Sequence, residues 1–392
     1  MSNASPYGGT DDRQFEASGV FRIEQQNGRW WFVDPSGAGF LTVGVAHADD
    51  SDLKYLHNVD IWREKYGSSK ERWIREGLVP DLDAWGFNTI GWTQDYVGGG
   101  WRKAFDWNER VTVQQSTSQF SPRDFEVADR PYVVLMEVAK TEDWYGDPVF
   151  PDVFSEDFED HCAYLTRSTC VDHARSSNLI GYSYDDAPSW ARHVSGADFP
   201  QLIDLPENKR EDRLFEIASK YYETMHRHIR QHDSEHLILG DLYNGDRPLP
   251  DAVLEAMKPY VDVLGIQYFP GDTDEAKQRM IEHASAAVAL TGKPLYVPDI
   301  GNWAPTELNP HRVGDPSGRL AGLDSHAERA RHYIETIGVL LEQPWFLGFH
   351  WCAYLENKAR GWGIKDPWDR AYEDFTGPVA EFNKSIYDRI RS

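Results

Sequence analysis

Eight short apolar runs alternate with stretches of helical period, and this alternation predicts a single α/β domain, a (β/α)8 TIM barrel. The strand candidates fall at residues 40–46, 88–92, 132–138, 179–184, 237–241, 263–268, 295–299 and 346–351. Helical segments are expected near 69–85, 156–175, 209–231, 250–257, 275–290 and 325–342, with a last one near 377–391. Strands separated by helices must run parallel, and eight such units close naturally into a barrel. At 392 residues the chain is long for an ordinary domain but normal for this one. No internal linker, repeat or low-complexity run divides it. The expected organisation is a tail over 1–19 and the barrel over 20–392.

Taken in order, the first element is an N-terminal β-hairpin. Phe21-Arg-Ile-Glu and Trp30-Trp-Phe-Val flank Asn27-Gly28, a strong two-residue turn signal. Asp34-Pro-Ser-Gly then turns into the first barrel strand. Ser68/Glu71 and Ser325/Glu328 have the spacing of capping boxes at two helix starts. Between the second and third strands no helix is evident, only the Trp- and Gly-rich stretch DYVGGGWRKAFDW.

Composition narrows the function classes. Lys plus Arg number 40 and Asp plus Glu 64, a net charge of -24 that repels nucleic acid and anionic membranes. No run approaches the ~18 apolar residues of a membrane helix. Neither nucleic acid nor membrane is an expected partner, and the oligomeric state is not indicated. As written, the N-terminus has no basic or apolar leader, which leads to an expected cytoplasmic location, or a periplasmic or secreted one if a signal was removed. Three cysteines without a CxxC pair argue against a disulfide framework. Without HExxH or close His/Cys spacing, neither a metal site nor a cofactor is expected. Fifteen Trp point towards carbohydrate, whose flat C–H faces stack on indole.

Chemistry in such barrels sits at the C-terminal ends of the strands. There the sequence places His47 on strand one, Asn88 and Trp92 on strand two, and Glu137 on strand three. Strand four runs into Tyr184-Asp185-Asp186, strand five into Asp241 and Asn244, and strand six ends Gln267-Tyr268. Strand seven ends at Asp299 with Trp303 beyond, and strand eight at His350-Trp351. Carboxylates, amides, imidazoles and indoles converging on one mouth are what a sugar site needs.

At this point the chain resembles β-agarases and related clan A glycosidases over roughly residues 20–375. GRWWFVDPSGAGFLTVGV is similar to the family's opening hairpin and first strand, and KYGSSKERWIREGLVPDLDAWGFNTIGW to its first helix and second strand. FPDVFSEDFED resembles the approach to the third helix, and FLGFHWCAYLEN the last strand with its G-x-H-W. IGYSYDDAPSW corresponds to I-G-Y-F-x-D-N-E-x-x-W, whose Glu is the family's acid/base. Laid residue by residue, Asp185 falls on the Asp, Asp186 on the Asn and Ala187 on the Glu. In KPLYVPDIGNWA, Asp299 stands where the family has its nucleophilic Glu.

The resemblance implies a glycoside hydrolase of galactan-type saccharides related to agar, porphyran or carrageenan. Asp185 or Asp186 would be the acid and Asp299 the nucleophile or base, with Tyr268 hydrogen-bonding Asp299. A shorter side chain at one position and a shifted carboxyl at the other favour a widened, inverting geometry. Substrate-binding residues would be His47, Asn88, Trp92, Glu137, Tyr184, Asp241, Asn244, Tyr268, Trp303, His350 and Trp351, with Trp92, Trp303 and Trp351 as stacking platforms. Two other readings stand beside it: elimination, with His47, Glu137 or Tyr184 carrying the proton, and a catalytically silent carbohydrate-binding barrel.

Overall fold

A computed structural model describes residues 5–54, 58–93, 120–139, 150–190, 199–247, 249–310, 322–356 and 362–390. The stretch DYVGGGWRKAFDW lies outside the described residues. Strands β1 (Thr10–Gln14), β2 (Arg22–Gln26), β3 (Arg29–Val33) and β4 (Ala38–Phe40) form an antiparallel sheet of order β1-β4-β3-β2. Asn27 and Gly28 take φ of 53° and 80°, as a two-residue hairpin turn requires. Residues 10–14, placed in a tail from the sequence, belong to this sheet. Their polar sequence, TDDRQ, pairs antiparallel with β4 and carries no apolar alternation to betray it.

The next eight strands are β5 (Thr42–Ala46), β6 (Thr89–Ile90), β7 (Tyr132–Leu135), β8 (Leu179–Asp186), β9 (Leu237–Asn244), β10 (Leu264–Gln267), β11 (Leu295–Ile300) and β12 (Phe346–Cys352). They close a parallel barrel in chain order, β12 pairing back onto β5. Around it lie α1 (Val59–Tyr66), α2 (Lys70–Trp73), α3 (Val79–Trp85), α4 (Pro122–Ala128), α5 (Glu156–His173), α6 (Pro200–Ile203), α7 (Glu207–His232), α8 (Asp251–Met257), α9 (Asp274–Thr291), α10 (His326–Leu341), α11 (Glu373–Lys384) and α12 (Ile386–Arg389). The barrel predicted from alternating elements is therefore the observed fold.

Three details differ from the sequence reading. The N-cap of the first long helical region is Ser69, whose hydroxyl accepts the Arg72 N–H, one residue past the expected Ser68. A helix, α4, precedes β7 where no periodicity was read. Its signal is the Ser121/Asp124 capping box around Pro122. At α10 half of the expected box forms: the N-cap Ser325 accepts the Glu328 N–H, while the Glu328 carboxylate accepts the N–H of Asp324, one residue before the cap.

Inside the barrel, Val133, Leu135, Ile180, Leu239, Tyr296 and Leu347 form one buried cluster with Phe21, Phe32 and Phe40 of the N-terminal segment. The small sheet thus seals the N-terminal end of the barrel, and the Trp30 N–H donates to the Pro344 carbonyl at 2.8 Å. That end is closed and apolar, so the polar strand ends on the opposite rim are the candidate site. Among the described residues no helix is long and apolar enough to cross a membrane.

Phe32 is 1 % exposed within this seal. Phe32→Ala should cost about 3–5 kcal/mol through lost burial and the cavity left behind. In urea unfolding the midpoint should fall with an unchanged slope; an unmoved midpoint would mean that the sheet is not part of the barrel core.

Candidate active site at the barrel mouth

Side chains alternate between the barrel interior and the helix layer along each strand, and the mouth residues sort by that alternation. On β8, Ser183 points inward to the Tyr296 hydroxyl at 3.3 Å, and Tyr184 points outward onto Tyr221 and Tyr222 of α7. Asp186 turns inward, where the Gln267 amide of β10 donates to its Oδ1 at 2.5 Å. Gln267 also donates to the Leu242 carbonyl at 3.0 Å, which fixes the amide orientation and leaves its NH2 group aimed at the carboxyl.

His47 would continue the alternation of β5 outward, because Ala46 lies in the interior cluster. A φ of 50° rotates it back over the mouth. Its ring meets Trp92 edge-on at 4.4 Å, and its Nε2 lies 3.9 Å from Asp299 Oδ2. Trp92, 1 % exposed, donates its indole N–H to the Pro298 carbonyl at 2.8 Å and so ties β6 across the barrel to β11. Register is irregular between Val297 and Ile300, and this break lets Asp299 face His47. Cys352 follows His350 by two residues and shares its inward phase; its Sγ joins the His47 and Asp299 donor atoms in one buried cluster.

Left-handed backbone recurs at this rim. His47, Glu137 and Ala187, at the ends of β5, β7 and β8, have φ of 50°, 57° and 43°. None is glycine, and such strain clusters at functional sites. The Glu137 N–H donates to the Tyr184 carbonyl at 2.7 Å, and its side chain borders a cleft of about 430 Å3 together with Ile90, Met136, His161 and Asp172. Asn244 sits at the rim, its Oδ1 accepting the Asp246 N–H.

Several expected site residues are elsewhere. Asn88 stands before β6 at the sealed end, bonding the Val43 N–H and the Leu41 carbonyl. His350 is fully buried inside the barrel, 2.8 Å from Thr42 Oγ1 near the start of β5, and burial pushes its pKa down to about 3. It is a neutral core imidazole. Trp351 faces outward onto Tyr333 of α10 and Phe375 of α11. Trp92, Trp303 and Trp351 are 1 %, 4 % and 1 % exposed, so they fill the structure and none presents an open ring. The Tyr268 hydroxyl pairs with His283 Nδ1 of α9 at 2.8 Å, and only its backbone N–H reaches Asp299, through the carbonyl.

Asp185 and Asp241 also leave the mouth. Asp185 accepts the Ala139 N–H at 2.8 Å and the Tyr221 hydroxyl at 3.1 Å. Asp241 accepts from Trp190 Nε1 and from the hydroxyls of Tyr221 and Tyr222. The single Tyr221 hydrogen faces both carboxyls. A proton on Asp241 resolves the conflict, since Asp241 then donates to Tyr221 and Tyr221 to Asp185. Burial, with Asp185 as the neighbouring charge, raises the Asp241 pKa accordingly. These two residues brace the ends of β8 and β9 against α7; Tyr184 packs there as well, which removes it as a proton carrier at the mouth.

The fold is a (β/α)8 barrel with a polar rim at the C-terminal ends of its strands, and comparison with known proteins supports the resemblance read from the sequence. No family model matches the chain. It is 21 % identical over 495 residues to β-agarase B of Vibrio sp. (strain JT0107), covering 99 % of this chain and 50 % of that protein. β-Agarase A of the same strain is 20 % identical over 497 residues, with 99 % and 48 % covered. The chain spans about half the length of the curated relatives it matches. The solved structure of an exo-β-agarase superposes with a TM-score of 0.75 at 17 % identity, covering 99 % of this chain and 68 % of that one.

The Asp185–Asp241 pair makes stability depend on pH with a defined sign. The Asp241 pKa is higher folded than unfolded, so its contribution is complete below about 3.9 and is lost as pH rises through the folded value. Relative to Asp241→Asn, which cannot titrate, the wild-type margin of stability should shrink between about pH 5 and pH 8. The change should exceed about 1.4 kcal/mol, a tenfold change in proton affinity. Parallel denaturation curves across this range would instead leave the pair ionised throughout.

Proposed function

We propose that the chain is a glycoside hydrolase acting on agar-type galactan saccharides, with Asp186 as proton donor and Asp299 as the opposing carboxylate. One observation carries the reading. Of the carboxylates at the ends of the fourth and seventh barrel strands, Asp186 turns into the mouth beside Gln267, and Asp299 faces His47 there. A pair of carboxyls flanking the bond is the requirement of glycoside hydrolysis. The likeness to proteins named β-agarases supports the substrate class.

The roles follow from the hydrogen bonds. Gln267 donates to Asp186 Oδ1, so in the acid form the proton resides on the other oxygen, Oδ2. Asp299 has a shorter reach than a Glu at the same position, which leaves room for a water between carboxylate and sugar. This is the inverting arrangement, in which Asp299 is the base.

Reducing-sugar release from agarose, porphyran and carrageenan oligosaccharides tests the proposal. Asp186→Asn and Asp299→Asn should each lower the rate at least ~100-fold, the scale of general acid–base catalysis, while Asp185→Asn should retain most of it. No release from any of these substrates, with binding intact, would support the silent barrel that Ala187 suggests. Ultraviolet-absorbing unsaturated products would mark elimination.

A further inference from the structure

The carboxylate pair does not account for Cys352. One donor atom each of His47, Asp299 and Cys352 lies within 4.8 Å of the other two, and all three residues are buried. They are brought together from positions 47, 299 and 352 by three adjacent staves, β5, β12 and β11. The ends are level: Cys352 pairs with Ala46 on one side, and Trp351 with Ile300 on the other. Gly301 permits this approach, because a Cβ there would sit 2.9 Å from the Cys352 carbonyl oxygen. The left-handed turn at His47 and the register break before Asp299 are local distortions that aim two of the three donors at one point.

We infer that His47, Asp299 and Cys352 bind a divalent cation of the zinc class, one ligand per strand, in a metal-loaded state that engages the Asp299 carboxylate and so excludes its role as base while the ion is bound. The donor set selects the ion. A thiolate and an imidazole suit zinc and disfavour magnesium, calcium and manganese, which take oxygen. Zinc holds S, N and O at about 2.3, 2.0–2.1 and 2.0–2.2 Å, which sets tetrahedral ligands about 3.3–3.7 Å apart. The His47 Nε2 to Asp299 Oδ2 separation of 3.9 Å is already close to that spacing, and the cluster needs to contract by about 1.5 Å at most. Trp92 holds the His47 ring edge-on and limits its rotation. Three protein ligands with an open fourth position are the pattern of reactive zinc sites, as opposed to closed structural ones. The net charge of -24 favours cation uptake.

The test uses the whole chain with zinc and cobalt(II) as probes. After chelation and dialysis against zinc, metal analysis should return one zinc per chain. Cobalt(II) should give intense thiolate-to-metal charge-transfer absorption. Cys352→Ser should abolish that band, and both Cys352→Ser and His47→Gln should weaken zinc binding more than about 100-fold, beyond the usual effect of an outer-shell change. Cys162→Ser, in α5, should leave both readouts unchanged. Should Cys352→Ser fail to fold, the cobalt spectrum of the wild-type chain and the His47→Gln affinity decide the matter. Substoichiometric zinc, a cobalt spectrum without the thiolate band, or undiminished affinity in folded Cys352→Ser would each overturn the site. Every readout is metal content or absorption, so a negative result leaves the hydrolase reading to its own test.

Discussion

Alternation of side chains along eight parallel strands is the constraint on which the rest of this structure depends. A closed barrel has an interior to fill and a helix layer to contact, so each residue at a strand end is committed to one or the other. Apolar residues settle the question for most of each strand. At the rim the polar residues follow the same phase unless the backbone intervenes, and here it does so at defined points. Left-handed φ at His47, Glu137 and Ala187, and broken register on β8 and β11, reset the phase at the candidate site. Such distortions cost free energy of order 1–3 kcal/mol each and persist only where the surroundings hold them.

The surroundings behind these strand ends are polar. Behind the ends of β8 and β9, the carboxyls of Asp185 and Asp241 bond to Tyr221, Tyr222, Trp190 and the Ala139 backbone. The hydroxyl of Tyr222 continues the chain to Tyr243 at 2.7 Å. A buried network of this kind is stable only when every member is satisfied, and it then fixes one geometry. It sets the end of β8 and, through it, the position of Asp186. The opposite side is held differently: Trp92 bonds the Pro298 carbonyl and packs on His47, so one indole couples β5, β6 and β11.

The fold was legible in the sequence because its signals are long and repeated. Eight apolar runs, their helical spacers and the Asn27-Gly28 turn each survive small errors of boundary. The site was legible only to within a strand end. At Gln267-Tyr268 and Trp351-Cys352 the polar or aromatic residue favoured by chemical intuition was the outward neighbour of the one that faces the mouth. At Asp185-Asp186 both were candidates and only the second turns in. A shift of one residue exchanges interior for helix layer, and the bulges that decide the phase leave no mark in composition. Asn88 and His350 were misplaced along the barrel axis, because a strand of two residues in β6 and one of seven in β12 start at different depths. Three cysteines without a CxxC pair carry no site signal of their own, and for Cys352 the available clue is its spacing of two from His350. Its partners, His47 and Asp299, are distant in sequence and adjacent only once the barrel closes.

The central claim is that Asp186 and Asp299 face one sugar across the mouth. A crystal structure of the Asp186→Asn chain with an agar-type oligosaccharide tests it most directly. The glycosidic oxygen should lie within about 2.6–3.2 Å of the side chain at 186, the reach of a proton donor, with the anomeric carbon towards Asp299. A saccharide held instead in the cleft beside Glu137 and His161, with neither Asp186 nor Asp299 near a glycosidic bond, would contradict the claim.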